Sequence, residues 1–380
     1  MKKTQVKINN FISLILCVAM CACVLLASAC DVGSKKNSAP SEKDLVTVTA
    51  DDEFLTVAVG ESKRAYATAS DGSTIEWASE NDDIAYVSSD GTITGAAEGL
   101  TVVYAVSGVA YAKIEVTVTK YSLVFEDEFL GDELDYTKWT HMTGVRNEYG
   151  SSVGPMFWGN GELQYYDESA TKVSEGVLTI TATKTPMPNG RGYVSSRIST
   201  RNKFKFTYGY VEAKMKLPAD SGLWPAFWML PEPASAENTA NRYGGWASSG
   251  EIDILESKGR ITDFVYTTLH FGNQGESTHI GSASKLSSPI SEWHVYALDW
   301  SKDKMVWLID GEPVMEVNSD EWWSQVGADN AFAPFDVDFY ILLNLAVGGN
   351  FDNGLAPNEQ FTYGSMQVDY VRVYQEYSKS

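Results

Sequence analysis

Residues 210–217, Tyr-Val-Glu-Ala-Lys-Met-Lys-Leu, alternate in polarity, and residues 113–118, Lys-Ile-Glu-Val-Thr-Val, repeat the pattern. Successive side chains of a β-strand point to opposite faces, so the alternation predicts strands with one buried face. Asp90-Gly91 and Asp310-Gly311 each separate two short strand-like runs, which is a strong hairpin signal. No segment beyond residue 45 shows a sustained helical period with caps. The sequence therefore predicts an all-β protein built of sandwiches or barrels.

The composition restricts the classes of partner. The chain has 380 residues, enough for two or three domains, and carries 29 Lys and Arg against 50 Asp and Glu. The resulting net charge of -21 would repel nucleic acid, and it disfavours a heavily sulfated polysaccharide unless a local basic groove overrides it. Four histidines argue against histidine-rich metal chemistry, whereas 11 Trp and 20 Tyr offer flat faces that suit sugar rings as well as cores.

Residues 1–29 have the pattern of an export signal. Lysines 2, 3 and 7 precede an apolar stretch, Phe11 to Leu26, which is too short and too N-terminal for a permanent membrane span. The small residues Ala27-Ser28-Ala29 follow. All cysteines lie in or directly after this segment, so no disulfide framework or cysteine metal site is possible downstream.

Cys30 directly follows Leu26-Ala27-Ser28-Ala29, which resembles the lipobox of bacterial lipoproteins. The resemblance implies that Cys30 is lipidated and becomes the mature N-terminus of an exported protein, held at the cell surface by this membrane anchor alone; the alternative is plain secretion. The leader holds three lysines and no acid, so its removal would change the net charge from -21 to -24. Residues 30–44 are rich in Ser, Lys and Asn and predict a flexible tether.

Residues 45–119 form a first unit of the size of a small sandwich. The Trp-x-Ser-x-Asn run from Trp77, the hairpin around Asp90-Gly91 and the later Gly99 resemble a bacterial immunoglobulin-like domain of group 2. Such domains usually act as spacers or adhesive modules, and Trp77 is expected in the core. Residues 121–376 form the second unit, within the range of large β domains.

The most informative run is Gly-Glu-Ile-Asp-Ile-Leu-Glu-Ser at residues 250–257. On a regular strand Glu251 and Asp253 share a face, but Glu256 would point to the opposite one and leave a lone acid in the core. One inserted residue, a β-bulge near Ile254-Leu255, would bring all three carboxylates to one face. Such a face raises at least one pKa and gives the fold no stability, so a functional reason is expected.

Two functions fit three clustered carboxylates. One is calcium binding, because hard cations collect carboxylates. The other is cleavage of a glycosidic bond, which needs one ionised and one protonated carboxyl group. The spacing predicts a separation of about 5–5.5 Å, typical of retaining glycosidases. Glu251 would then be the nucleophile, Glu256 the general acid and base, and Asp253 a supporting carboxylate that tunes both.

Residues 121–376 resemble family 16 of the glycoside hydrolases, and laminarinases (endo-β-1,3-glucanases) in particular. The signature Glu-x-Asp-x-x-Glu is met by residues 251–256. Further matching motifs follow in the family order: 125–129, 158–166, 224–229, 269–272 and 368–374. The resemblance implies a β-jelly-roll sandwich with a cleft on its concave sheet and a β-glucan substrate, laminarin-type or mixed-linkage. Family 16 enzymes that act on galactans, agarases and carrageenases, share the bulged spacing.

The resemblance also implies substrate-binding residues. Trp224 and Trp228 would line subsites on the non-reducing side of the cleft, and Asn160, Arg197 and His270 would hold sugar hydroxyls. A lone histidine is more often structural, so the binding role of His270 competes with that reading. The long segment 231–250 is expected to rim the non-reducing end and to decide tolerance of branched or mixed-linkage glucan; shortening it would then change the product profile.

A structural calcium is a further expectation from the resemblance. Members often hold one on the convex side, with an acid at the position of Asp369 and backbone oxygens near Glu128 and Gly176. Catalysis itself needs no metal and no cofactor.

Three alternatives to a hydrolytic glucanase remain open, with a monomer as the default state. The same family could act on a galactan, against which the Trp-Pro-Ala-Phe-Trp-Met run at 224–229 and the negative charge argue. The chain could be a surface glucan-binding protein, although such relatives lose the glutamates that are present here. Transglycosylation shares the covalent intermediate with hydrolysis and leaves no separate trace in sequence.

Overall fold

The computed structural model describes residues 46–144, 158–185, 192–233 and 241–377. The predicted leader, Cys30 and the tether lie outside these ranges. The chain divides after Ser122 into two compact units, and the residues from Glu376 onward group with the first. Within the described ranges, no helix has the length and apolar character that a membrane span requires.

The first unit is a small sandwich, as predicted. Its strands are β1 (Val48–Ala50), β2 (Phe54–Ala58), β3 (Ser62–Arg64), β4 (Ala67–Ala69), β5 (Glu76–Ser79), β6 (Ala85–Val87), β7 (Thr92–Gly95), β8 (Gly99–Ser107) and β9 (Ala110–Thr119). They form a sheet of order β2-β9-β8-β5, a second of order β3-β7-β6, and the pair β1-β4. The predicted strand at 113–118 is the inner part of β9, where Ile114 and Val116 are fully buried and Val118 nearly so.

The turn between β6 and β7 explains why Asp90-Gly91 is a hairpin signal. Gly91 has φ 87°, a left-handed conformation that favours glycine. A Cβ atom there would lie 2.7 Å from the carbonyl oxygen of Ala65 and 2.9 Å from the ring of Trp77. Trp77 itself packs against the core of this unit, in line with its predicted structural role.

The second unit consists of two large sheets. Its strands are β10 (Tyr121–Asp127), β11 (Thr140–His141), β12 (Gln164–Tyr166), β13 (Thr171–Ser174), β14 (Val177–Lys184), β15 (Tyr193–Ser195), β16 (Arg197–Ser199), β17 (Gly209–Lys216), β18 (Leu223–Pro231), β19 (Glu251–Glu256), β20 (Phe264–Asn273), β21 (Glu276–Lys285), β22 (His294–Trp300), β23 (Lys304–Ile309), β24 (Glu312–Asn318), β25 (Phe339–Val347) and β26 (Tyr363–Glu376). Short 3-10 helices span Glu168–Ala170 and Asn350–Asp352.

Seven of these strands form the sheet that carries the acidic run, in the order β11-β16-β25-β18-β19-β20-β21. The facing sheet has the order β12-β15-β14-β26-β17-β22-β23-β24, with β10 added to β26 and β13 to β14. The predicted all-β sandwich architecture is therefore confirmed.

The core between the sheets follows from the alternation in sequence. On β17 the side chains of Val211, Ala213 and Met215 are fully buried, while the residues between them face outward. On β18 the inward residues are Phe227 and Met229, both fully buried. Burying a side chain of this size stabilises the fold by about 1.5–3 kcal/mol.

The predicted hairpin at Asp310-Gly311 connects β23 to β24. Both turn residues have positive φ, 51° and 83°, which is the backbone of a type I′ turn. The hairpin extends the facing sheet at its edge and brings Trp307 of β23 under the acidic strand.

Candidate active site

The bulge predicted in the acidic run is present in β19. Asp253 pairs with Trp228 of β18, but Leu255 pairs with the next residue along that strand, Phe227, so Ile254 has no partner in this ladder. The pairing of β19 with β20 shifts over the same interval. Ile254 and Leu255 both lie in the core, and the acids on either side of them share the opposite face.

Two neighbours fix the bulge in place. The indole Nε1–H of Trp307, from the facing sheet, donates a hydrogen bond of 2.9 Å to the backbone oxygen of Asp253. Gly250, directly before β19, has φ 85°, and a Cβ atom there would lie 2.7 Å from Phe335 and 2.9 Å from Pro334. The glycine turn thus determines where β19 begins, and the hydrogen bond from the buried indole stabilises its irregular pairing.

The three acids line a cavity of about 310 Å³ on the open face of the seven-stranded sheet. The cavity brings together four of the five predicted substrate-binding residues, and its lining is Trp158, Gly159, Asn160, Glu162, Tyr166, Arg197, Trp224, Ala226, Trp228, Leu230, Trp246, Glu251, Asp253, Glu256, Asn344 and Ala346. His270 lies just beside it, because it pairs with Glu251 from β20.

Each glutamate of the cluster receives an indole hydrogen bond. Trp246 Nε1–H donates to Glu251 Oε2 at 2.9 Å, and Trp224 Nε1–H donates to Glu256 Oε1 at 2.9 Å. Asp253 is 3% exposed and Glu256 8% exposed, while Glu251 is partly open to the cavity. The two donors orient the carboxyl groups from opposite ends of the strand.

All three carboxyl groups have raised pKa values. Desolvation is the largest cause for each, and the charge of Asp253 further raises the pKa of Glu251 and of Glu256. The hydrogen bonds from Trp246 and Trp224 oppose these shifts by stabilising the ionised forms. A hydrogen bond with Glu251 lowers the pKa of Asp253, so these two groups can share a proton. The site therefore retains protons at a pH where isolated carboxyl groups have lost them.

The Trp224 hydrogen bond predicts a pH effect. Trp224→Phe keeps an aromatic ring but removes the N–H that lowers the pKa of Glu256. A general acid works only when protonated, so the alkaline limb of kcat/KM against pH should move to higher pH in this variant. The acidic limb, which follows ionisation of Glu251, should stay in place. An unchanged alkaline limb would show that Glu256 is not the group titrating there.

The guanidinium group of Arg197 lies between two indole rings, and Arg197 also lines the cavity. Its guanidinium is 4.6 Å from the ring centre of Trp228 and 5.1 Å from that of Trp158. Trp228 also donates from Nε1 to Asn344 Oδ1 at 2.8 Å. The stacking gives Arg197 a positioning role for Trp228, in addition to the predicted contact with sugar hydroxyls.

Asn160 lines the cavity and holds a loop through its backbone. Its backbone N–H donates to Glu162 Oε2 at 2.9 Å, and its backbone oxygen accepts from the N–H of Asn350 at 2.6 Å. The loop after β25 thereby closes against Trp224, whose ring would be 2.8 Å from a Cβ placed on Gly349. Asn160 thus contributes to the wall through its backbone as well as lining the cavity.

An aromatic cluster that sequence reasoning missed packs against Trp224, which lines the cavity. Phe351 stacks on Trp224 with ring centres 5.0 Å apart and meets Tyr266 edge-on at 5.3 Å. The ammonium group of Lys258 lies over the ring of Phe351 at 4.6 Å. A two-pronged ion pair from Arg260 to Asp352, at 2.7 and 2.8 Å, fixes the loop. The side chains come from three separate segments, so no local pattern in the sequence predicts the cluster.

Trp246 is a second residue that the sequence did not single out. It belongs to the long segment 231–250, of which residues 234–240 lie outside the described ranges. Trp246 lines the cavity beside Glu251, so this segment does contribute to the rim. The available signal was a tryptophan close to the acidic strand in a loop of unusual length.

The residues predicted to hold calcium lie on the facing sheet. A Cβ atom on Gly176 would be 3.9 Å from the backbone oxygen of Glu128, and Asp369 follows the partner of Leu178 in a bulge of β26. Backbone and carboxylate oxygens are ligands that Ca²⁺ prefers, so the donor set fits. Lys214 Nζ already holds Asp369 Oδ2 at 2.7 Å, which leaves Oδ1 and the backbone oxygens for an ion.

Two family models match the chain. Residues 158–372 match the model "Glycosyl hydrolases family 16", and residues 44–118 match "Bacterial Ig-like domain (group 2)". The latter range coincides with the first unit.

Individual proteins with similar sequences or structures include several β-glucanases. The glucan endo-1,3-beta-glucosidase A1 of Niallia circulans is 40% identical over 270 residues, which cover 67% of this chain but only 38% of that relative. A beta-glucanase of Rhodothermus marinus is 35% identical, over 67% of this chain and 85% of its own length. The X-ray structure of the endo-beta-1,3-glucanase from Pyrococcus furiosus matches with a TM-score of 0.57 and 38% identity, over 68% of this chain and 96% of that one.

Proposed function

Because this chain belongs to family 16 of the glycosyl hydrolases, we propose that it is a retaining endo-glycosidase that cleaves β-1,3-glucan. The observation that carries the proposal is the bulged strand β19. It presents three carboxyl groups to one cavity, with an indole donor on each of the two glutamates. This arrangement supplies a nucleophile and a proton donor on one rigid element.

In the first step Glu251 attacks the anomeric carbon of the sugar. The new bond joins a carboxylate oxygen of Glu251 to that carbon, while the bond from the carbon to the glycosidic oxygen breaks. Glu256 gives its proton to the departing oxygen, which leaves as a sugar hydroxyl. The raised pKa of Glu256, caused mainly by desolvation, keeps this proton available.

In the second step water releases the sugar. Glu256, now ionised, takes a proton from the water, and the water oxygen forms a bond to the anomeric carbon as the bond to Glu251 breaks. Two displacements at one carbon restore its β configuration. Trp224 stabilises the ionised form of Glu256 in this step through its hydrogen bond of 2.9 Å.

Asp253 controls the proton near the nucleophile. The hydrogen bond with Glu251 stabilises the ionised form of Asp253, so the proton that the two groups share must leave Glu251 before Glu251 attacks. When Glu251 becomes an ester its negative charge is lost, and the pKa of its neighbours falls accordingly. Asp253 thus acts as a supporting carboxylate and not as a second nucleophile.

The lining of the cavity favours a neutral glucan over a sulfated galactan. Trp158, Trp224, Trp228 and Trp246 provide flat faces for pyranose rings, and Asn344 adds an amide. A sulfated galactan would meet the three clustered acids and a chain of net charge -21.

Reducing-sugar release from laminarin, barley mixed-linkage glucan and agarose tests the proposal, with protein starting at residue 45. We expect release from laminarin and short β-1,3-linked products. Release from agarose alone would overturn the substrate while keeping the chemistry. Binding of laminarin without any release would favour a glucan-binding protein.

We also propose that the site near Glu128, Gly176 and Asp369 holds a structural calcium ion. Support comes from the backbone oxygen of Glu128 beside Gly176 and from the bulge at Asp369. Adding a chelator should lower Tm without changing the pH profile, and Asp369→Asn should remove that response. If the chelator lowers the Tm of Asp369→Asn as much as it lowers the Tm of the parent protein, the site is refuted.

For the cellular location we propose export and attachment to the membrane through a lipid on Cys30, with the protein otherwise a monomer. The leader pattern and the position of Cys30 support this. Cys30→Ser should move the protein from the membrane fraction to the medium. If Cys30→Ser and the parent protein distribute equally between the membrane fraction and the medium, this result would argue against the lipid anchor.

A further inference from the structure

His270 faces the acid cluster with an unusual choice of ring nitrogen. Its Nδ1 lies 2.8 Å from Ser277 Oγ, and Ser277 in turn donates its hydroxyl proton to the backbone oxygen of Thr278 at 3.0 Å. With its own proton used in this way, Ser277 Oγ accepts from His270 Nδ1–H. In the tautomer that this contact selects, the proton lies on Nδ1 and the lone pair on Nε2.

Nε2 lies close to a buried carboxylate oxygen of Asp253. Nε2 of His270 is 3.3 Å from Asp253 Oδ2, and Oδ2 is buried with no hydrogen-bond partner among the described residues. Asp253 is 3% exposed. A proton or a bound cation between Nε2 and Oδ2 would satisfy both atoms, so the pair can act as two ligands.

A carboxylate oxygen of Glu251 completes a set of three. One ligand atom each from Glu251, Asp253 and His270 lies within 4.8 Å of the others. Zinc binds imidazole nitrogen and carboxylate oxygen at about 2.0–2.2 Å, so two ligands at the tetrahedral angle are about 3.3–3.6 Å apart. The observed 3.3 Å between Nε2 and Oδ2 agrees with this spacing.

We propose that Glu251, Asp253 and His270 form a binding site for a zinc-like divalent ion, and that the bound ion blocks the catalytic cleft. Ser277 acts as the positioning residue, because its hydrogen bond selects the histidine tautomer that can ligate. Ca²⁺ and Mg²⁺ prefer six or more oxygen ligands and are poor competitors for this nitrogen-containing set. A tetrahedral ion with three protein ligands keeps a fourth position for water.

Inhibition follows from the nucleophile. An ion held by Glu251 occupies the oxygen lone pair that would attack the anomeric carbon, and it fills the space beside Trp246. Zinc should therefore compete with substrate, and a chelator should restore activity. This consequence rests on the proposed function, whereas the binding site does not.

Two readouts keep the binding site and the reaction apart. Metal-free full-length protein without a histidine tag is titrated with Zn²⁺ by calorimetry and with Co²⁺ by visible absorption, because tetrahedral Co²⁺ is strongly coloured. We expect one ion per chain and binding weakened at least about 10-fold in His270→Asn. Ser277→Ala, which leaves all three ligands in place, should weaken binding by about 10–100-fold.

His279→Asn is the matched control. His279 is exposed and lies directly across from His270 on β21, with the ring centres 5.6 Å apart, so it is the neighbouring histidine that could bind an ion in place of His270. Loss of binding in this variant, with binding kept in His270→Asn, would overturn the proposal, as would the absence of heat and colour in the parent protein. Zinc binding that depends on His270 but leaves laminarin hydrolysis unchanged would refute the blocking role. Binding in a protein inactive on laminarin would sustain the site and overturn the proposed function instead.

Discussion

Glu251→Gln is expected to lower kcat on laminarin by about 10⁴-fold or more, the largest effect of any single substitution in the cleft. The amide cannot form a glycosyl ester that water then hydrolyses. Its oxygen can still accept the 2.9 Å hydrogen bond from Trp246, so the shape of the site is preserved. Single-turnover hydrolysis of a defined laminari-oligosaccharide measures the loss.

Glu251→Gln should lose activity without losing thermal stability. A carboxyl group whose pKa is raised on folding destabilises the folded state once the pH exceeds its unfolded pKa. Since desolvation raises the pKa of Glu251 well above its usual range, Glu251→Gln should have an equal or higher Tm at neutral pH. Glu316→Gln, an exposed residue paired with Lys304 at 3.2 Å, is the control and should retain full activity. A Glu251→Gln variant with more than a tenth of the parent rate would exclude Glu251 as the nucleophile.

Glu256→Ala is expected to cost about 10²–10⁴-fold on laminarin, because the leaving group is a sugar hydroxyl that must be protonated. A β-glycoside with a dinitrophenyl leaving group needs no such help, so its first step should be nearly as fast as in the parent protein. The second step would then limit the rate and produce a burst of dinitrophenol. Burst amplitude and steady-state rate together measure the two steps.

Azide distinguishes the two glutamates by stereochemistry. In Glu256→Ala it can replace water without a general base, restore turnover and give a β-glycosyl azide. In a variant that lacks the nucleophile, azide would attack directly and give the α product. An α-azide from Glu256→Ala would therefore interchange the two assignments.

The sequence predicted the strands and the acidic cluster because both depend on local periodicity. Glu251 and Glu256 are an odd number of residues apart, so a bulge is required to bring them to one face of the strand. The structure has this bulge at Ile254. Phe351 and Asn344 could not be found in this way. Each takes its function from contact with a distant segment, as in the stacking of Phe351 on Trp224.

Arg197 illustrates the same limit for a residue that was named. Its residue type and the family resemblance suggested a contact with sugar, but its stacking between Trp158 and Trp228 depends on strand order in the folded sheet. The tautomer of His270 likewise follows from Ser277, its neighbour through the β20–β21 hairpin.

The bulge at Ile254 has a consequence for how such enzymes diverge. Removing this one codon would leave Glu-Ile-Asp-Leu-Glu, a regular alternation that still presents all three acids to the cleft. A single in-frame deletion can therefore convert Glu-x-Asp-x-x-Glu into Glu-x-Asp-x-Glu without reversing the polarity of any remaining position. What it would leave is a hole, since Ile254 is 2% exposed and fills the core; losing a side chain of that size costs about 2–5 kcal/mol. Lineages that lost this residue should carry a compensating larger side chain on the facing sheet.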